Sequence, residues 1–446
     1  MNRPTSSMNR PTDIFSLFLL NSLQFNWKIF QVLSSAYSVY LDTLLFEAEG
    51  KKSLGELEKS VKNETHRFFD TRLRSDDFVK TLTDYVTNCS DFAHITGFGN
   101  VYQYLSTLSS LWNNYFIELI RDAFWRTPSE KIGQLEKYSL FVYKKSKAAD
   151  IDNRIYPKTP LLIVYAFINI HYILDLLPEI SVVRNLLRNG FDIYATDWGT
   201  PAAYDKDLTI NHFVNTYMDK SIDLIRKRTN SDKVSLLGYC WGGNLALAYA
   251  ALHPEKVKNL IAVATPGDSK LDDTLLSIWT KSTNVENLLN AFGNFPGILL
   301  AAALILRDPI EYIHKYPHFF EKPHDFDSIM EFFATEAWLH DTKPIIGEIY
   351  REFVQSCYQQ NLFIKNEMKI DRKLINLKEV NMPFLNVIAQ KDDLVSPGSS
   401  TALNNAVGST DKNLIEFQSG HVGLITGQRA HKEVWPKVGA WLNERS

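Results

Sequence analysis

Cysteine is scarce: Cys89, Cys240 and Cys357 are the only three in 446 residues. Three thiols without metal-ligand spacing make neither a disulfide framework nor a metal site, and they fit a reducing compartment. Charge of one sign is also missing. The formal net charge is −3, and without a long basic block the chain carries no nucleic-acid footprint. No apolar run reaches the roughly 20 residues of a membrane-spanning helix. The run Ile14-Phe15-Ser16-Leu17-Phe18-Leu19-Leu20 imitates a signal-peptide core. Asn21, Gln24, Asn26 and Lys28 follow it without a small-residue cleavage site, so it is not read as a leader. Repeats are absent apart from Met1–Thr5 recurring at Met8–Thr12. That stretch is polar and Pro-containing, and the first ~12 residues are expected to be disordered. Nothing in the sequence calls for a metal or a cofactor.

Aromatic and apolar residues are plentiful. The chain is 45% hydrophobic, with 27 Phe, 20 Tyr and 9 Trp, enough for a large core and more than one domain. From about Asp13 to Phe124 the spacing is helical. Phe25, Ile29, Val32, Leu33, Tyr37, Tyr40, Leu44 and Leu45 form one apolar face; Tyr102, Leu105, Leu108, Leu111, Trp112, Tyr115, Phe116, Leu119 and Ile120 form another. Helices this apolar need a covering surface. It is either the rest of this chain, or a helical partner subunit or lipid-like surface.

At Tyr138–Tyr143 the period switches to that of a strand. Further strand-like runs follow at Pro160–Tyr165, Phe191–Thr196, Val234–Leu237, Leu260–Ala264, Pro383–Ile388 and Leu414–Phe417. Helical segments such as Ser181 to Arg188 and Val214 to Arg228 separate most of them. The alternation predicts an α/β fold with a mostly parallel sheet covered by helices on both faces. Between Thr265 and about Met382 the rhythm stops, and a helical, aromatic stretch intervenes. The expected organisation is an N-terminal helical region over 1–130, a core of 131–266 and 381–446, and a cap or lid over 267–380 above the C-terminal strand ends.

The chemistry centres on Gly238-Tyr239-Cys240-Trp241-Gly242-Gly243, between the run ending at Leu237 and the helix former Asn244–Ala250. This is a G-x-C-x-G nucleophile elbow in its strand–turn–helix context. Such a nucleophile sits at a strained backbone position, and flanking glycines let strand and helix pass closely. The helix N-terminus aims free N–H groups at developing negative charge and favours the thiolate. A buried cysteine is more often inert, so the reading depends on its partners. Asp392 follows the strand at 383–388, and His421 lies 29 residues beyond it in Ser419-Gly420-His421-Val422-Gly423. The order nucleophile, acid, histidine is that of the α/β-hydrolase fold. His421 is the expected general base and the acid fixes its tautomer. Asp392 is preferred to its neighbour Asp393 on motif fit. The expected oxyanion hole pairs the backbone N–H of Trp241 with one near Ala166 or Phe167.

On these residues the chain resembles the polyhydroxyalkanoate synthases, above all the catalytic subunits of the two-component class III and IV types, over roughly Tyr138 to Ser446. The matching motifs are Leu162–Ala166 with Asn169 and Tyr172–Leu176, Asp197–Pro201, the Cys240 elbow, Gly293–Gly297, Trp338 with Asp341, Gly420–Gly423, and Lys432–Val434 to Trp441–Arg445. The resemblance implies a catalytic set of Cys240, Asp392 and His421. It implies joining of (R)-3-hydroxyacyl units from coenzyme A (CoA) thioesters into a polyester with release of CoA. It further implies a cytoplasmic enzyme on the polyester granule, a helical partner subunit and a homodimer. Two departures stand out: Asp393 occupies a position that is often His, and the N-terminal region is longer than in class III subunits and shorter than in class I enzymes. A Cys-dependent esterase or thioesterase is the alternative activity, and an idle granule-coat protein a third reading.

Overall fold

The computed structural model describes residues 127–144, 158–307, 331–332, 334–336, 338–339 and 341–446. The expected N-terminal helices, Cys89 and part of the expected cap lie outside the described residues. The frame is an eight-stranded sheet. Its strands are β1 (Ser129–Leu135), β2 (Tyr138–Tyr143), β3 (Leu161–Val164), β4 (Ile193–Asp197), β5 (Val234–Tyr239), β6 (Val257–Val263), β9 (Phe384–Ala389) and β10 (Lys412–Phe417), in the order β1-β2-β4-β3-β5-β6-β9-β10. A separate two-stranded hairpin is formed by β7 (Lys369–Ile370) and β8 (Lys373–Leu374). β1 and β2 are antiparallel to their neighbours, and the pairings from β4 through β10 are parallel.

The central strands β3, β5 and β9 are buried along their whole length. That explains why they read as continuous apolar runs rather than alternating ones. The edges differ. β1, Ser-Glu-Lys-Ile-Gly-Gln-Leu, exposes its first three residues and carries a bulge between Lys131 and Gly133. Sequence reading began the sheet at Tyr138 and missed β1, because a polar, bulged edge strand leaves no alternation to detect. The hairpin β7–β8 was also missed: two-residue strands are too short to show a period.

Helices pack on both faces. Helix α1 (Val182–Arg188) starts at Ser181, whose side chain accepts from the Arg184 N–H. Its buried Val182, Val183, Leu186 and Leu187 share one face. The expected helix 214–228 divides in two, a π-helical turn at His212–Met218 and then α2 (Asp219–Thr229), closed by Asn230 in the left-handed conformation at φ 53°. Helix α3 (Trp241–Leu252) packs on β3, β5 and β6 and is buried nearly all round, so it shows no amphipathic stripe. The stretch after β6 contains α4 (Leu275–Ser282), α5 (Val285–Phe292), α6 (Gly297–Leu306) and α7 (Gly347–Phe353), followed by a second π-helical turn, Val354–Gln359. Helix α8 (Pro397–Ala406) lies on β9, and α9 (Trp435–Asn443) packs on α1. Trp435 is completely buried and donates its indole N–H to the Leu424 carbonyl. Replacing such a residue by Ala costs about 3–5 kcal/mol.

Candidate active site

Cys240 follows the last residue of β5 and caps α3, at φ 53° and ψ −129°. A side-chain-bearing residue reaches this region only when its surroundings force it there. The forcing contacts are visible. Cys240 N–H donates to the Val263 carbonyl at 2.9 Å, and its own carbonyl accepts from Gly243 N–H at 2.8 Å. A Cβ on Gly238 would fall 2.4 Å from the Gly243 Cα, and one on Gly243 would meet the Thr265 Oγ1 at 1.9 Å. Strand and helix therefore cross at a separation that only glycine permits. A Cβ on Gly242 would sit 2.1 Å from the Val164 carbonyl oxygen. The start of α3, with Trp241, is thus pressed against the end of β3, directly before Ala166. That end is held by the Trp198 indole, donating to the Tyr165 carbonyl at 2.7 Å, and by Thr196 Oγ1, accepting from Tyr165 N–H at 3.1 Å.

Asp392 comes from the loop after β9, and His421 from the loop after β10. His421 Nδ1 and Asp392 Oδ2 are 2.7 Å apart, with side-chain exposures of 5% and 1%. Asp392 Oδ1 accepts from the N–H groups of Leu394 and Val395, both at 2.9 Å. Both carboxylate oxygens are therefore committed, and the acid cannot turn. Its loop is fastened in turn: Ser396 Oγ donates to the Leu271 carbonyl at 2.7 Å, and Ser396 N–H reaches Asp272 Oδ1 at 3.4 Å. Burial alone would push the His421 imidazole down. The Asp392 carboxylate and the Cys240 sulfur outweigh burial by charge and hydrogen bonding, and hold its pKa above the ordinary histidine value. With Nδ1 on Asp392, Nε2 is left for the sulfur. Cys240 itself is 6% exposed.

Asp393 is placed quite differently. Its side chain is 56% exposed and pairs with Arg307 Nη1, at the end of α6, at 2.6 Å. Cys357, the other free cysteine among the described residues, is buried in the π-helical turn, and burial pushes its thiol well up. No group of three or more His, Cys, Asp or Glu able to hold a metal occurs among the described residues. No helix among them is long and apolar enough to cross a membrane.

The remaining motifs tie the stretch after β6 to the loops after β3 and β4. Trp338 donates its indole N–H to the Ile170 carbonyl at 2.9 Å, and Tyr172 Oη donates to Asp341 at 3.3 Å. Asn294 Nδ2 donates to the Ala202 carbonyl at 2.8 Å, and Asn294 Oδ1 accepts from Gly347 N–H at 3.1 Å. Lys343 reaches Asp197 at 3.6 Å. Sequence reasoning did not single out Thr265, which fills the space under Gly243, or Tyr358, which meets the Trp241 side chain. Each makes its contact far along the chain, and no motif spacing marks it.

The α/β-hydrolase fold family model matches residues 159–428. The poly(3-hydroxyalkanoate) polymerase subunit PhaC of Haloferax mediterranei is 38% identical over 326 residues, 72% of this chain and 65% of that protein. The PhaC subunit of Allochromatium vinosum is 36% identical over 320 residues, 72% of this chain and 89% of that one. The PhaC subunit of Synechocystis is 34% identical over 329 residues, 72% and 85% of the two chains. Among solved structures, a soluble variant of the monoglyceride lipase of Saccharomyces cerevisiae has a TM-score of 0.46 at 13% identity, covering 72% of this chain and 96% of that one. With its α/β-hydrolase sheet and its identity to these subunits over most of their length, the chain belongs to the poly(3-hydroxyalkanoate) polymerase subunit PhaC family.

Proposed function

We propose that the chain polymerises (R)-3-hydroxyacyl-CoA into a polyester, with Cys240 carrying the acyl group. The observation that carries this reading is the buried Asp392–His421 pair at 2.7 Å beside a cysteine held at φ 53° on a helix N-terminus. His421 takes the proton of the Cys240 thiol through Nε2, and Asp392 holds the hydrogen on Nδ1. The thiolate attacks the thioester carbonyl, and the backbone N–H groups of Trp241 and Ala166 receive the oxyanion. Collapse forms an S-acyl Cys240 and expels the CoA sulfur, which takes the proton back from His421. In the second half His421 removes the proton from a 3-hydroxyl group. The alkoxide attacks the Cys240 thioester, an ester bond forms, and the thiol is restored.

Cysteine suits this cycle. A protein thioester is about as activated as the incoming CoA thioester, whereas an oxygen ester on serine would lose that activation. Water must be excluded for the acyl group to await a hydroxyl, and the low exposure of Cys240 and His421, 6% and 5%, is consistent with that. The aromatic stretch after β6 would act as the lid. A helical partner subunit, a homodimer and a cytoplasmic site at the granule surface complete the proposal.

The test is to add 3-hydroxybutyryl-CoA to the full chain and follow free thiol, turbidity and soluble hydroxy acid together. Thiol release with rising turbidity supports polymerisation. Thiol release with stoichiometric free hydroxy acid would make the protein a Cys-dependent thioesterase, and no thiol release would leave a binding protein with an idle site.

A further inference from the structure

Trp241 has two jobs that the geometry separates. Its backbone N–H begins α3 beside Cys240, while its side chain enters an aromatic cluster built from distant parts of the chain. The Phe353 ring lies 4.0 Å from the Trp241 ring, and the Phe167 ring 5.1 Å away, centroid to centroid. Phe167 and Phe353 meet edge to face at 5.8 Å. The indole N–H of Trp241 donates to the Tyr358 hydroxyl at 3.1 Å. Phe167 directly follows Ala166, so one cluster holds the side chain of one proposed oxyanion donor and that of the residue next to the other.

Tyr358 is fixed in its own right. It sits inside the π-helical turn Val354–Gln359, whose wider winding is uncommon and recurs at functional sites. Its carbonyl accepts from Ser269 Oγ at 2.9 Å. Ser269 N–H donates to Asn361 Oδ1 at 3.0 Å, and Asn361 Nδ2 to Asp268 at 2.7 Å. This ladder ties the turn to the loop after β6, the strand next to the elbow. Burial, first of all, pushes the Tyr358 hydroxyl well above its ordinary range, so it stays protonated and its oxygen accepts from the indole throughout the working pH range.

Resting on the acyl-transfer reading of Cys240, we propose that Tyr358 is a positioning residue for the oxyanion hole, acting through its hydrogen bond to the Trp241 indole. A tryptophan side chain has two rotatable bonds. Held by the tilted Phe353 ring and at its N–H by Tyr358, it fixes the first residue of α3 and with it the direction of that residue's backbone N–H. An oxyanion donor works only if it is held at the place where the charge will develop. The Asp392 carboxylate is held by the N–H groups of Leu394 and Val395, bonds in which the Tyr358 hydroxyl takes no part. Loosening Tyr358 therefore slows acyl transfer and leaves the thiol–imidazole pair intact.

The experiment compares wild type, Tyr358→Phe, Trp241→Phe and the double variant in the full chain. Four quantities are measured: kcat and KM for CoA release from 3-hydroxybutyryl-CoA, the rate of Cys240 alkylation by iodoacetamide, and thermal stability. Removing an oxyanion donor outright costs about 10²–10³ in kcat, so losing its anchor should cost roughly tenfold. KM should stay within about twofold, since the loss falls on the transition state. Alkylation should be unchanged, and the double variant should be no slower than either single one, because both delete the same bond. Trp241→Phe keeps the backbone donor and the ring contact, so it carries the test even where Tyr358→Phe fails to fold. Wild-type kcat in both single variants, additive losses in the double variant, or alkylation falling in step with kcat would overturn the positioning role. A wild type that releases no CoA and takes no acyl group at Cys240 would remove the acyl-transfer reading and this one with it.

Discussion

Asparagine at position 392 would reverse the hydrogen-bond polarity facing His421 with almost no change in shape. Asp392 Oδ1 accepts two backbone N–H groups at 2.9 Å, and Oδ2 faces His421 Nδ1 at 2.7 Å. An asparagine has one accepting oxygen and one donating nitrogen. If its oxygen keeps the two backbone donors, its NH₂ points at Nδ1 and the ring must carry its hydrogen on Nε2. That nitrogen can then no longer accept the thiol proton. Flipping the amide restores the working tautomer but sets the NH₂ against the N–H groups of Leu394 and Val395. Each buried donor left unpaired costs about 1–3 kcal/mol, so the active arrangement lies roughly 2–6 kcal/mol uphill. At about 1.4 kcal/mol per tenfold, kcat should drop by roughly thirtyfold to twenty-thousandfold. Asp393→Asn loses only a half-exposed ion pair with Arg307, worth less than about 1 kcal/mol, and should stay within a few-fold of wild type. CoA release from 3-hydroxybutyryl-CoA measures both. A kcat for Asp392→Asn within fivefold of wild type, or below it only in Asp393→Asn, would refute the argument.

Two more expectations follow from the burial of particular groups. Brief iodoacetamide treatment should modify Cys240 ahead of Cys357, whose thiol is buried and pushed up, with activity lost in step; peptide mapping that finds Cys357 labelled first would contradict this. His431 is held neutral, its pKa lowered to about 4 chiefly by burial, with Asn185 Nδ2 at 2.9 Å from Nδ1 and the Ile425 carbonyl at 2.6 Å from Nε2. Since the unfolded histidine binds a proton near pH 6.5 and the folded one does not until about pH 4, this contribution is complete above pH 6.5 and about 3 kcal/mol is lost as pH falls across that window. Denaturant unfolding at pH 7 and pH 4.5 should show a smaller difference in His431→Phe than in wild type, and equal differences would count against the assignment.

What could be read in the sequence, and what could not, divides along a physical line. The backbone geometry of the elbow was legible because it is local: Gly238, Gly242 and Gly243 must flank Cys240 within six residues for β5 and α3 to cross. Asp392 and His421 could be nominated because each follows a strand-like run, one ending in the buried β9 and the other in the largely exposed β10, and a parallel sheet sends the loops after its strands to one edge. Spacing could only rank Asp392 against Asp393; burial against exposure separates them in space. Tyr358 was invisible because its partner, Trp241, lies 117 residues away and a π-helical turn has no periodic signature. β1 was missed because the bulge between Lys131 and Gly133 leaves its two apolar residues, Ile132 and Leu135, out of alternation.

The central claim is that the acyl group rides on the Cys240 sulfur, and mass mapping after a brief reaction tests it most directly. Wild-type protein mixed for seconds with 3-hydroxybutyryl-CoA and quenched in acid should yield a peptide containing Cys240 that is heavier by one or more hydroxybutyryl units. The added mass should be released by neutral hydroxylamine. Cys240→Ala should carry no such mass and release no CoA. CoA release and polymer from Cys240→Ala at the wild-type rate would contradict the account at its root.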